Sequence, residues 1–300
     1  MKKFFLSISV YFAYWVLLTP LISSAETGYN SLFIGHSFFR PFAEGLPFHA
    51  TQAGITGHQQ TVVFSGGCSG APQALWEDDE KSQEIKQVLD GSDIDLFGMT
   101  YCGDYNTTEG YENWINYALE KNPNTRIAIA LPWLDYPSLS TTEDYVNSLF
   151  SAYEEGWKNL IFQLKALYPG VSIFSIPHGL AAAELRLLFE DGNLPDVNSL
   201  TGVSTTSLFT DFKGHAGSIL KSTGRLIWLG AIYDIDLTTY AYNPGYDTDI
   251  KAIANDILNE YGTLDYTNHP VPISTNVLAL ILGVSLISLG IIRNKKNSKV

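Results

Sequence analysis

Five short apolar runs divide the central part of the chain. They span residues 31–34, 61–64, 94–99, 126–131 and 171–176. Each run is almost continuously apolar, and longer stretches with helical spacing separate one run from the next. A strand that is apolar on both of its faces must be covered on both. The pattern therefore predicts a parallel sheet lying between two layers of helices.

The stretches between and after these runs predict helices. They cover residues 38–53, 73–89, 110–120, 142–167, 214–233 and 247–261. No internal repeat and no linker rich in proline or serine interrupts the chain before residue 262. We therefore expect one α/β domain over residues 26–262, with a flavodoxin-like three-layer α/β/α fold and a five-stranded parallel sheet.

The N-terminal segment has a composition of its own. Lys2 and Lys3 precede an apolar run over residues 4–22, and the small residues of 23–25 follow. A short basic leader, an apolar stretch and small residues are typical of a secretory signal peptide. The pattern predicts a signal peptide over residues 1–25, and an uncleaved N-terminal anchor is the alternative.

The C-terminal segment predicts a membrane anchor. Its expected parts are a linker over 263–275, a transmembrane helix over 276–293 and a basic cytoplasmic tail over 294–300. No charge occurs in residues 277–292, and Arg293, Lys295 and Lys296 follow. An uncharged helix that ends in basic residues is typical of a segment that stops in the membrane, although a buried core helix has a similar composition.

The end of the chain also resembles a known export signal. The stretch Pro270-Val271-Pro272, the apolar helix and the basic tail together resemble bacterial PEP-CTERM-type sorting signals, without their Pro-Glu-Pro core. Plain membrane anchoring is the alternative. Either interpretation predicts an exported domain, on the cell surface or the periplasmic side, that is tethered by its C-terminal helix.

Charge limits the possible partners. The chain has 18 basic and 31 acidic residues, a net charge of −13. Six of the basic residues lie in residues 1–25 and 276–300, which contain no acidic residue. The central body therefore carries 12 basic against 31 acidic residues. Such a body repels phosphate backbones, and no basic stripe offsets the repulsion, so nucleic acid is excluded as a partner.

Cysteine and histidine usage argues against a bound metal. The six histidines are scattered, and neither they nor the cysteines have the spacing of metal ligands, so we expect no metal and no cofactor. Cys68 and Cys102 are the only cysteines. In an exported protein they can form a disulfide worth about 3–4 kcal/mol, and two free thiols are the alternative.

The residues that follow the predicted strands are the first candidates for chemistry. In open parallel sheets, ligands bind at the carboxyl ends of the strands. Ser37 follows the first strand and precedes a helix, where backbone N–H groups can stabilise an oxyanion. A helix N-cap is the other interpretation of this serine. His178 follows the fifth strand and is a second candidate base.

A second candidate element lies late in the body. Asp211 precedes His215 by four positions, directly before a predicted helix. A serine nucleophile needs a base that accepts its proton, and the imidazole of that base needs a carboxylate that fixes its tautomer. Asp211 and His215 meet both needs if their loop reaches the edge of the sheet where Ser37 lies.

Together these elements resemble the SGNH hydrolase (GDSL-esterase-like) superfamily over most of residues 30–235. The segment Gly35-His36-Ser37 matches the first block of that superfamily, with His36 in the middle position. Gly67, after the second strand, matches the oxyanion glycine, and Asp211 with His215 matches the last block apart from one inserted residue. The resemblance implies that Ser37 is the nucleophile, His215 the general base and Asp211 its orienting partner.

The third block differs from the superfamily pattern. The superfamily has Gly-x-Asn-Asp after the third strand, where the asparagine amide donates to the oxyanion. This chain has Gly98-Met99-Thr100-Tyr101-Cys102-Gly103 instead. Asn106, the Tyr101 hydroxyl and a backbone N–H near Gly103 are alternative donors. Losing one donor without replacement costs about 10²–10³ in rate.

These observations lead to a functional expectation with one competitor. We expect an esterase or deacetylase that works through an acyl-enzyme, with an oxyanion hole of Ser37, Gly67 and Asn106. His36, Tyr101 and Trp133 are the expected substrate-binding residues, and an exported acidic protein favours acylated carbohydrate over other esters. The competitor is a surface protein that keeps the same scaffold and binds glycan without cleaving it.

Overall fold

A five-stranded parallel sheet forms the centre of the computed structural model, which describes residues 27–105 and 107–262. Its strands are β1 (Asn30–Gly35), β2 (Gln59–Phe64), β3 (Leu96–Thr100), β4 (Arg126–Ala130) and β5 (Ile173–Ile176). They lie in the order β2-β1-β3-β4-β5, and every neighbouring pair is parallel. The predicted α/β class and the five parallel strands are confirmed.

Ten α-helices surround this sheet in the part of the chain that the structure describes. They are α1 (Arg40–Ala43), α2 (Leu46–Gln52), α3 (Pro72–Glu77), α4 (Asp79–Gly91), α5 (Glu109–Lys121), α6 (Thr142–Ser151), α7 (Lys158–Leu167), α8 (Leu180–Glu190), α9 (Ser218–Tyr233) and α10 (Ile250–Ile257). Short 3-10 turns cover Gly67–Gly70 and Pro137–Leu139, and π-helical segments cover Ala152–Trp157 and Leu258–Gly262.

Helices cover both faces of the sheet. Phe33 of β1 contacts Trp228 of α9, and Phe97 of β3 contacts Trp114 of α5. Phe33 is in register with Gly98, the residue next to Phe97. Since successive side chains of a strand point to opposite faces, Phe33 and Phe97 point to opposite faces, and so α9 and α5 lie on opposite sides of the sheet. This arrangement explains why β1, β3 and β4 are buried along almost their whole length and mainly apolar.

Two predicted helices are each divided into two. Residues 38–53 form α1 and α2, each of which has a proline in its first turn, where a missing N–H costs nothing. Residues 73–89 form α3 and α4, which separate at Asp78. The extended backbone of Asp78 lets its side chain accept a hydrogen bond from the N–H of Lys81 and so cap α4.

Three elements were not predicted. Helix α8 is buried over most of its first half, so it lacks the polar face that makes a helical period visible. The strands β6 (Ser199–Thr201) and β7 (Ser207–Phe209) form a separate parallel pair of three residues each, too short for an apolar pattern. Strand β7 matters for function because it leads directly into the loop that carries Asp211 and His215.

The expected terminal segments lie outside the described residues. These segments are the signal peptide over 1–25, the linker over 263–275, the anchor over 276–293 and the tail over 294–300. Between residues 27 and 262, none of the described helices has both the length and the apolar character needed to cross a bilayer.

Candidate active site

Ser37 and His215 meet at the carboxyl edge of the sheet. Ser37 lies two residues beyond β1, and His215 lies three residues before α9. The Ser37 Oγ and the His215 Nε2 are 2.9 Å apart, although the two residues are separated by 178 positions in the chain. Ser37 does not cap α1, whose N-cap position is Phe39. Its hydroxyl instead donates to the imidazole.

Asp211 orients the imidazole from the other side. The His215 Nδ1 lies 2.5 Å from the Asp211 Oδ2. An ionised carboxylate can only accept, so Nδ1 carries the proton and Nε2 is free to accept from Ser37. Partial burial opposes ionisation of Asp211. Hydrogen bonds from the His215 ring and from the N–H groups of His215 and Gly214 outweigh this effect and lower the pKa of Asp211.

Gly214 shapes the loop between Asp211 and His215. The backbone of Gly214 has a φ of +101°, which L side chains rarely adopt, and a Cβ there would lie 2.6 Å from the Pro137 Cδ. The Trp133 Nε1–H donates to the Gly214 carbonyl over 2.8 Å. The Asp211 Oδ1 accepts from the Gly214 N–H at 3.0 Å. The backbone of Gly214 is therefore fixed through both its carbonyl and its N–H.

His36 braces the turn that carries Ser37. Its Nε2 lies 3.0 Å from the Tyr101 carbonyl, and its Nδ1 lies 3.3 Å from the backbone N of Phe38. A carbonyl can only accept and an amide N–H can only donate, so His36 is a neutral imidazole protonated on Nε2. Burial lowers the pKa of His36 and keeps it neutral. His36 is only 7% exposed, and it joins the turn after Ser37 to the loop that follows β3.

A disulfide joins the loops that follow β2 and β3. Cys68 and Cys102 are bridged, with their Cα atoms 5.8 Å apart. Gly67, directly before Cys68, has a φ of +54°. Within residues 27–105 and 107–262, no group accepts a hydrogen bond from the backbone N–H of Ser37 or of Gly67. Both donors are therefore available to a ligand, and the disulfide restricts the movement of Gly67.

Ser37 lines a pocket of about 300 Å³. The pocket is lined mainly by residues that follow the strands: His36, Ser37, Phe38, Gly67, Cys68, Tyr101, Cys102, Gly103, Asp104, Pro132, Trp133, Leu134, Asp135, Ala152, Trp157 and Lys213. Both candidate oxyanion donors are among them. The pocket is large enough for a small acyl group and part of an alcohol.

A second, more polar pocket lies on the other side of Tyr101. It also has a volume of about 300 Å³, and it is lined by Tyr101, Tyr105, Thr107, Thr108, Glu155, Gly156, Asn159, Leu160 and Gln163. The ring of Tyr101 packs edge-on against Trp157, with centroids 5.9 Å apart. Tyr101 lines both pockets and therefore forms part of the boundary between them.

The other expected site residues have different surroundings. Trp133 lines the pocket but is only 3% exposed: Phe38 stacks on its ring at 4.8 Å, and its Nε1–H supports the His215 loop through the Gly214 carbonyl. The ring nitrogens of His178 face the carbonyls of Phe38 and Ile176, not Ser37, and burial lowers its pKa to about 4. Asn106 lies outside the described residues.

The sequence interpretation missed Lys213. Lys213 lines the pocket beside Ser37, and its Nζ lies 3.7 Å from the Asp135 Oδ2. The Lys213 carbonyl accepts from the N–H of Tyr136 over 2.9 Å, which joins the loop after β4 to the His215 loop. The sequence signal that could have identified Lys213 was its position two residues before the candidate base. Nothing in the sequence alone indicates where its side chain points.

Comparisons with known proteins support the fold. No protein-family model and no curated protein matches the chain. The chain is similar to the crystal structure of a DUF4886 family protein from Bacteroides uniformis. The TM-score is 0.57 and the identity 17%, over 78% of this chain and 95% of that protein. A weaker similarity, with a TM-score of 0.35 and 15% identity, relates 51% of this chain to 68% of the lipopolysaccharide acetyltransferase periplasmic domain of Salmonella ser. Paratyphi A. At these identities the comparison concerns the fold alone.

Proposed function

We propose that this protein is a serine hydrolase of the SGNH type that cleaves an ester through an acyl-enzyme. The observation that carries the proposal is the chain of hydrogen bonds from Ser37 through His215 to Asp211, at the mouth of a pocket. Such a chain gives a weak nucleophile both a base and a fixed tautomer of that base. Ser37, His215 and Asp211 are the proposed catalytic residues.

Acylation follows from this geometry. The Ser37 Oγ attacks the ester carbonyl, and its proton moves over the 2.9 Å contact to the His215 Nε2. The carbonyl electron pair moves onto oxygen, which the N–H groups of Ser37 and Gly67 stabilise. When the tetrahedral intermediate collapses, the bond to the leaving alcohol breaks, and the His215 Nε2–H protonates that oxygen.

Deacylation repeats these steps with water. His215 takes a proton from a water molecule, which attacks the acyl carbon. The bond from the Ser37 Oγ to the acyl carbon then breaks, and the proton returns to Ser37. Asp211 stays ionised throughout, since hydrogen bonds lower its pKa, and its charge stabilises the imidazolium that forms in each half-reaction.

Acylated carbohydrate is the substrate class that we propose. The second pocket offers carboxylate, amide and hydroxyl groups together with a tyrosine ring, a combination that suits the hydroxyl groups and apolar faces of a sugar. An acyl group bound beside Ser37 would place the sugar toward Tyr101. His36 takes a positioning role in this proposal, and Trp133 supports the His215 loop.

Export is proposed on separate grounds. The bridge between Cys68 and Cys102 fits an oxidising compartment, where disulfides form and persist. The signal peptide and the C-terminal anchor belong to the same proposal. Release of the folded domain from membranes by proteolysis near residue 262 would support the anchor. Recovery of the intact chain in the soluble fraction would count against it.

The hydrolase proposal is tested with a fluorophosphonate probe and p-nitrophenyl acetate. Wild type should label and turn over, Ser37→Ala should do neither, and Ser92→Ala, which changes an exposed serine after α4, should match wild type. Equal turnover in Ser37→Ala would rule out the proposed nucleophile. Glycan binding that survives Ser37→Ala and His215→Ala, with no esterase activity in wild type, would favour the glycan-binding alternative.

A further inference from the structure

The candidate oxyanion hole has two backbone donors, and the residues that the structure describes supply no third group of the usual kind. The N–H groups of Ser37 and Gly67 are both available. No asparagine or glutamine is among the described residues that line the pocket with them. Removing one oxyanion donor typically lowers kcat by about 10²–10³, so a third stabilising group would matter for turnover.

Lys213 is the one cationic residue among the described residues that line this pocket. Its Nζ lies 3.5 Å from the point where a β-carbon on Gly67 would be, which places the ammonium beside the second oxyanion donor. Its backbone is held by the hydrogen bond from Tyr136, and the chain reaches His215 two residues later. The base and the cation are therefore presented by one loop.

The ammonium of Lys213 has spare hydrogen-bonding capacity. Its separation of 3.7 Å from the Asp135 carboxylate is longer than the 2.7–3.2 Å typical of an N–H···O bond. Asp135 thus balances the charge without fixing all three N–H groups. A glycine at 67 also leaves the space next to the ammonium free of a side chain.

We propose that the Lys213 ammonium is the third group that stabilises the oxyanion, a role that rests on the proposed hydrolase function. As Ser37 attacks, the carbonyl electron pair moves onto oxygen, and Lys213 donates a hydrogen bond to that oxygen without giving up its proton. When the intermediate collapses, the pair returns to the carbonyl as the leaving group departs. A positive charge beside the oxyanion stabilises the transition state more than the neutral ground state.

The test compares Lys213→Met and Lys213→Arg with wild type, and Lys221→Met, on helix α9, is the matched control. With p-nitrophenyl acetate, a neutral ester, Lys213→Met should lower kcat and kcat/KM equally, by about 10- to 100-fold, because the lost contact exists only in the transition state. This loss is smaller than the roughly 10²–10³ typical of an oxyanion donor because the Lys213 side chain is 36% exposed and water screens its charge. Lys213→Arg should recover most of the loss, and Lys221→Met should match wild type.

A second ester separates this role from recognition of a substrate carboxylate. If Lys213 instead binds an anionic substrate group, Lys213→Met would raise KM for the hemisuccinate ester of p-nitrophenol and leave turnover of the acetate unchanged. That result would overturn the inference and leave the hydrolase proposal standing. Wild-type protein without Ser37-dependent turnover of either ester would overturn both proposals.

Discussion

Replacing Asp211 with asparagine isolates the step on which the proposed mechanism depends. The Asp211 Oδ1 accepts from the N–H groups of Gly214 and His215, at 3.0 and 3.2 Å, and an asparagine oxygen keeps both bonds. The amide NH₂ then faces the His215 Nδ1, which has to accept. The ring proton moves to Nε2, where it opposes the Ser37 hydroxyl, so the serine proton has no acceptor.

The expected loss is large despite the exposed position of Asp211. Its side chain is 48% exposed, so water screens the direct effect of its charge on the imidazolium. The tautomer change is not screened, because it alters which nitrogen can accept. An amide in place of the orienting carboxylate of such a triad lowers kcat by roughly 10⁴. We expect about 10³ here, which corresponds to about 4 kcal/mol in the activation free energy.

The assay measures kcat/KM on p-nitrophenyl acetate and the rate of fluorophosphonate labelling. Asp236→Asn is the matched control, because Asp236 also accepts bonds from nearby groups, the N–H and the hydroxyl of Thr238, and does not line the pocket. Urea denaturation should give both variants nearly the stability of wild type. An Asp211→Asn protein that is folded and keeps more than a tenth of wild-type activity would refute the assigned role of Asp211.

Three further predictions concern stability and the site. Burial lowers the pKa of His178 to about 4 from 6.5, so the folded state binds fewer protons than the unfolded state between these values. The contribution of His178 to stability should therefore be complete above pH 6.5 and fall by roughly 3 kcal/mol as the pH drops toward 4. Burial also lowers the pKa of His49 to about 4 and raises that of Glu184 to about 7, so the measurement is the difference in pH slope between wild type and His178→Gln in urea denaturation; equal slopes would contradict the buried neutral ring. Reducing the Cys68–Cys102 bridge should lower the free energy of unfolding by about 3–4 kcal/mol. It should also slow turnover, because Gly67 is adjacent to Cys68. Unchanged turnover in a dithiothreitol series would show that the bridge does not position the oxyanion donor of Gly67. Gly214→Ala should cost about 1–3 kcal/mol from backbone strain, with an added clash against Pro137 that lowers kcat. Gly170→Ala is the control: Gly170 has a φ of +91° and open space around it, so its substitution should cost the same strain energy without a loss of activity.

The helices differ from the prediction where a local feature breaks or hides a helix, and the spacing of apolar residues does not reveal such features. The apolar period over residues 38–53 and 73–89 continues across breaks that depend on proline in a first turn and on the extended backbone of Asp78. Helix α8 was missed because the core surrounds it on most sides. Periodicity reports which residues face the core, and it reports chain breaks only where the breaks alter that pattern.

The sequence by itself determined the sheet, since short apolar runs without alternation, separated by longer helical patterns, are typical of strands covered on both faces. It also placed Ser37, Gly67, Asp211 and His215 at strand ends and in one loop, where parallel strands bring their chemistry together. Only the tertiary structure decided which nitrogen of His215 faces Ser37, whether the two cysteines pair, and that Lys213 points toward Gly67. Those outcomes depend on distances between loops far apart in the chain. Such distances follow from the packing of the whole domain, and no local pattern of residues specifies them.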